Sequence, residues 1–85
     1  MRIYLQIPAF EGKPSRYYQL VLQEDLINGW TLVREWGQQG YAGRVKRDHF
    51  PDRDTAVAAL LRVRDSQLQR GFKVVFMQGN VAPSS

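Results

Sequence analysis

The chain has 85 residues, of which 44% are hydrophobic, 12% aromatic and 24% charged, and its formal net charge is +4. That length supports one compact unit and is too short for two. With no cysteine and a single histidine, His49, it excludes disulfide frameworks, thiolate metal sites and multi-histidine metal centres.

No apolar run approaches the roughly 20 residues of a membrane span. Ile3-Tyr4-Leu5-Gln6-Ile7-Pro8 is too polar and too short for the apolar stretch of a secretion signal. A cytoplasmic protein with no membrane partner is expected. Basic and acidic residues balance as far as Gly43, and the whole positive excess lies from Arg44 onward. Arginine outnumbers lysine, and its planar fork suits phosphate. Such asymmetry points to a polyanion, although solubility alone also accounts for a mildly basic chain.

Arg2 to Ile7 is a short β-prone run closed by Pro8, and Glu11 to Ser15 reads as a loop. Arg16 to Glu24 is a strong strand, with Tyr18, Leu20 and Leu22 on one side and Tyr17, Gln19, Val21 and Gln23 on the other. Asn28-Gly29 then predicts a two-residue hairpin of type I′, because both residues tolerate positive φ. The return strand runs from Trp30 to about Gln38. Gly37, Gly40 and Gly43 punctuate the next turn, and Arg44 to Phe50 forms a further strand with one well-solvated side.

Pro51-Asp52-Arg53-Asp54 is a helix start, with Asp52 as the cap. The helix is expected to end near Arg70, where Gly71 can take a left-handed conformation. Ala56, Val57, Leu60, Val63 and Leu68 form its apolar stripe, with Leu61 at the margin. Phe72 to Met77 is a last strand, in which Phe72, Val74 and Phe76 alternate with Lys73, Val75 and Met77. The order β-β-β-β-α-β predicts an α+β fold: a mainly antiparallel sheet of about five strands with one helix on one face. Residues 1–78 are expected to form a single domain, and 79–85 a flexible tail.

Nothing in the sequence supports catalysis. No serine has a local base, and no glycine-rich phosphate loop is followed by Lys-Ser or Lys-Thr. Asp48 precedes His49, but strand neighbours point to opposite faces. No cofactor is implied. The informative stretch is Trp36-Gly37-Gln38-Gln39-Gly40-Tyr41-Ala42-Gly43-Arg44-Val45-Lys46-Arg47, a tryptophan opening a glycine-rich turn that leads into a basic strand. An aromatic face stacks on a base or sugar, glycines admit a phosphate closely, and the cations neutralise it. The plain alternative is that Trp36 is core and the glycines only turn the chain.

From Tyr17 to Met77 the chain resembles the WGR domain, a family named for a Trp-Gly-Arg tripeptide. The likeness is carried by Trp36-Gly37 with Gly40, by Tyr17-Tyr18-Gln19-Leu20 upstream, and by Phe50, Ala56 and Lys73 downstream. The family occurs beside the catalytic region of DNA-dependent poly(ADP-ribose) polymerases and in small stand-alone bacterial proteins. In the polymerases it looks like a reader of DNA breaks, with the tryptophan near a terminal sugar. The resemblance therefore implies a non-catalytic nucleic-acid-binding module, for DNA with a preference for strand ends or nicks, RNA remaining open.

The implied contacts are Trp36, Gly37, Gln38, Gly40, Arg44, Lys46 and Arg47, with Arg34. The third position departs from the family, because Gln38 stands where its arginine would be and lacks the charge and the fork. Arg44 or Arg47 would have to compensate. The rival reading is a protein-interaction module that uses an aromatic face or sheet edge, as a monomer or a dimer.

Overall fold

The sheet is assembled from sequence-adjacent hairpins, and a helix then returns the chain to its far edge. In the computed structural model, which describes residues 1–79, β1 (Arg2–Ile7), β2 (Arg16–Glu24), β3 (Trp30–Gln38) and β4 (Arg44–Phe50) pair in succession, all antiparallel. Helix α1 (Arg53–Gln69) follows, and β5 (Lys73–Gln78) pairs antiparallel with β1. The order across the sheet is β4-β3-β2-β1-β5. Thus α1 carries the chain from one edge to the other across a single face. The β-β-β-β-α-β order and the α+β class are as expected from the sequence. Of the expected tail, 79–85, residues 80–85 lie outside the described residues.

Alternation decides which side chains meet the helix. Ile3 and Leu5 of β1, Tyr18, Leu20 and Leu22 of β2, and Leu32 of β3 are buried with Ala56, Val57, Ala59 and Leu60 of α1 and with Phe72. Ile3, Leu5, Leu20, Leu32 and Leu60 are inaccessible to solvent, and burying each such side chain contributes about 1.5–3 kcal/mol. The other face, with Tyr4, Tyr17, Gln19, Val33 and Glu35, has no helix over it and is half-exposed. Two faces of different polarity fix the register, since a one-residue slip would exchange them.

Asp52 caps α1: its carboxylate accepts from the Thr55 backbone N–H at 2.8 Å and from the Thr55 hydroxyl at 2.9 Å. These bonds, the backbone one foremost, hold its pKa below the usual 3.8. A lowered carboxylate pKa stabilises the fold above the unfolded value and stops doing so as pH falls through the folded one. The stability advantage of the native protein over Asp52→Asn is therefore expected to be constant above about pH 5 and to shrink at lower pH. Urea titrations of both proteins across that range measure it. At the other end Gly71 adopts φ +102°, the left-handed turn that stops the helix.

Three local expectations are corrected. The β2–β3 connection is the five-residue loop Asp25 to Gly29, not a two-residue type I′ turn. Only Gly29 has positive φ there, and the loop is closed by the Asp25 N–H donating to the Gly29 carbonyl at 2.9 Å. In α1, Leu68 is exposed and Gln67 is buried in its place, because 56, 60, 63 and 67 keep helical phase and 68 runs past it. Lastly, the β1–β5 register shifts between Tyr4 and Leu5. Simple alternation in β5 is thereby broken: Val74 pairs with Leu5, whereas Phe76 pairs with Tyr4.

Candidate nucleic-acid interface

A groove of about 710 Å³ opens where the end of β3 meets the C-terminal end of α1. Its aromatic floor is a cluster. The Trp36 indole stacks on the Tyr18 ring at 5.5 Å between centroids and 10° between planes, and Tyr18 meets Phe72 edge-on at 6.1 Å. Trp36 is half-buried and packs against the core while lining the groove. The plain alternative of a fully buried core residue is thus only half met, and part of the ring stays open to the groove.

Four cations surround this floor. Arg16, Arg34, Lys46 and Arg70 line the groove, and among the described residues no carboxylate does. The Arg16 guanidinium lies over Phe72 at 5.6 Å from the ring centre, a cation–π contact. Arg34 Nη2 donates to Asp48 Oδ2 at 3.1 Å, which fixes the guanidinium and offsets part of its charge. The carbonyls at the end of α1 would disfavour an anion. They are taken up locally, because the N–H groups of Arg70 and Phe72 donate to Gln67 and that of Gly71 donates to Leu68.

Of the residues singled out in the sequence, Trp36, Gly37, Gln38, Arg34 and Lys46 come together in the groove. Arg44 stands opposite Trp36 on the edge strand, on the same side of the sheet but outside the lining. Arg47 pairs with Val33 and belongs to the opposite face. Its phase differs from that of Arg44 and Lys46 by one residue, and in a strand one residue changes the side. Gly40 lies in the turn with φ +87° and borders a second, shallower depression beside Tyr4, Tyr17, Glu35 and Tyr41.

Gly37 and Gly43 serve close packing on that second face. A Cβ on Gly43 would fall 2.1 Å from the Tyr17 hydroxyl, and one on Gly37 would fall 3.1 Å from Gly43 Cα. The Tyr17 hydroxyl that they admit donates to Glu35 at 3.3 Å. Its pKa is raised above the usual 10.0, first by partial burial and then by the Glu35 charge.

The contacts implied by the sequence do not include Arg16, Arg70 or Phe72, all of which line the groove. Arg16 matters most, because it pairs directly across β2–β3 with Gln38. A cation thus stands beside the position that lacks one. The signal lies in the register of the β2–β3 hairpin, which neither segment carries alone. Arg70 and Phe72 flank the helix-stopping Gly71 and reach the groove through the packing of α1.

Fold and groove together define a small antiparallel-sheet domain with one helix and a basic aromatic cleft. The family model of the WGR domain matches residues 1–77, nearly the whole chain, and the chain belongs to that family. The match includes β1, which lies ahead of the stretch of resemblance that begins at Tyr17 and which the sheet places between β2 and β5. WGR is a small non-catalytic domain family that supports nucleic-acid binding in general terms. Comparison with curated proteins and with solved structures gave no match. Among the described residues, no helix is long and apolar enough to cross a membrane and no acidic or histidine cluster could hold a metal ion.

Proposed function

We propose that residues 1–78 act as one non-catalytic cytoplasmic module that binds DNA in the groove, preferring strand ends or nicks. The observation that carries this reading is the joining of a half-exposed, stacked tryptophan with four cations in a cleft whose lining has no carboxylate. Phosphates would meet Arg16, Lys46 and Arg70, with Arg34 held in place by Asp48. Arg16, facing Gln38, supplies the charge that the third motif position lacks. The indole already has one stacking partner in Tyr18 and offers its remaining surface to a terminal sugar or base. An end is favoured because a continuous duplex has no exposed terminal ring to cover the indole.

The test is the salt dependence of binding to a labelled duplex. Each phosphate contact contributes about 0.9 to the slope of log affinity against log salt. Lys46→Gln is expected to lower the slope by about that amount, while Arg47→Gln, on the far face, leaves it unchanged. Equal effects of the two substitutions would place the nucleic acid outside the groove.

A further inference from the structure

Among the described residues, the most exposed large apolar side chains are Leu26 and Ile27, at 104% and 98% relative exposure, on the tip of the β2–β3 loop. The loop beneath them is a built support. The Asp25 carboxylate accepts from the Thr31 hydroxyl at 2.8 Å and pairs with His49 Nδ1 at 2.9 Å, tying the tip to β3 and β4. Gly29 closes it at φ +97°, and a Cβ there would fall 2.6 Å from the His49 ring and 2.7 Å from the Phe50 carbonyl oxygen. Two bare aliphatic side chains on a pinned loop need little further ordering to bind a surface.

The surroundings of the tip select its partner. Glu24 and Asp25 flank it, and the chain order sets Asp52 and Asp54, around the start of α1, at the same end of the sheet, where these four acids outnumber Arg2 and Arg53. This acidic border disfavours nucleic acid and anionic lipid, and suits an apolar pocket rimmed by cations. The groove at the other end of the molecule has that character, with Tyr18, Trp36 and Phe72 inside and Arg16, Lys46 and Arg70 around them.

We infer that the Leu26–Ile27 tip of one copy docks into the groove of a second copy, head to tail. Each molecule carries one tip and one groove at opposite ends of the sheet, so the contact is heterologous. With a rotation between copies that does not close a ring, it repeats into an open assembly that lengthens with concentration. This inference does not rest on the nucleic-acid reading. It does make the two occupants of the groove mutually exclusive.

Sedimentation velocity of the full chain, from about 10 µM to about 1 mM at low salt, tests it. The wild-type average mass is expected to rise past that of a dimer. The tip variant Leu26→Ser/Ile27→Ser and the groove variant Arg16→Glu/Lys46→Glu, both checked for folding by circular dichroism, are each expected to stay monomeric. Mixed in equal amounts they retain one intact tip and one intact groove between them, and should form a dimer that grows no further. A monomeric wild type would overturn the inference. So would association that survives in either variant, which would instead implicate another surface such as the exposed Val75–Met77 edge of β5. Two monomeric variants that fail to dimerise when mixed would also contradict head-to-tail docking.

Discussion

Trp36→Ala is expected to weaken duplex binding roughly 5- to 150-fold, the equivalent of about 1–3 kcal/mol for one stacked base. Two losses combine in that figure. The ligand loses the ring on which it stacks, and the Tyr18 ring beneath loses its parallel neighbour at 5.5 Å. Trp36→Phe separates them, because phenylalanine keeps a flat ring over Tyr18 with a smaller face toward the groove. The expected order of affinity is wild type, then Trp36→Phe, then Trp36→Ala, measured by fluorescence anisotropy. Trp36 also packs on the core, so each variant is to be compared well below its melting temperature. An alanine variant that is folded and binds as tightly as the wild type would remove the stacking role.

Leu60→Ala is expected to have the largest effect on stability, about 2–5 kcal/mol. Leu60 is solvent-inaccessible, lies midway along α1 and belongs to the same buried cluster as Leu20 and Leu32 of the sheet. A domain of this size holds only about 5–15 kcal/mol in total. Thermal unfolding should therefore shift down by at least about 8 °C. The same truncation at Leu68, which was expected in the stripe but is exposed, should cost far less. Comparing the two substitutions checks the helical phase directly.

The difference between Leu60 and Leu68 shows what the sequence made legible. Strand limits, the Asp52 cap and the Gly71 stop are local signals, written in residues that act on their own backbone, and they were readable without the structure. Leu68 has the hydrophobicity of the stripe but not its phase, and the buried position belongs to Gln67. The Asn28-Gly29 turn failed for a different reason. Thr31 and His49 both bind Asp25, and contacts across three segments override a two-residue propensity.

The site divides in the same way. Trp36, Gly37, Gln38, Arg34 and Lys46 lie on or beside β3 and were visible as a motif. Arg47 could have been set aside by its own alternation, which puts it with Val45 and His49 on the far face. Arg16 could not have been added from local pattern, since its place beside Gln38 follows from the hairpin register. Arg70 likewise depends on where the helix comes to rest.

The most direct test of the central claim, that the basic aromatic groove receives nucleic acid, is fluorescence anisotropy at about 50 mM salt, where phosphate contacts are least screened. An open 5′-phosphorylated duplex and a closed dumbbell of the same sequence are each titrated with the wild-type chain and with Trp36→Ala. The groove predicts tighter binding of the open duplex and loss of that preference in the variant. Failure of the wild-type chain to bind either DNA would contradict it.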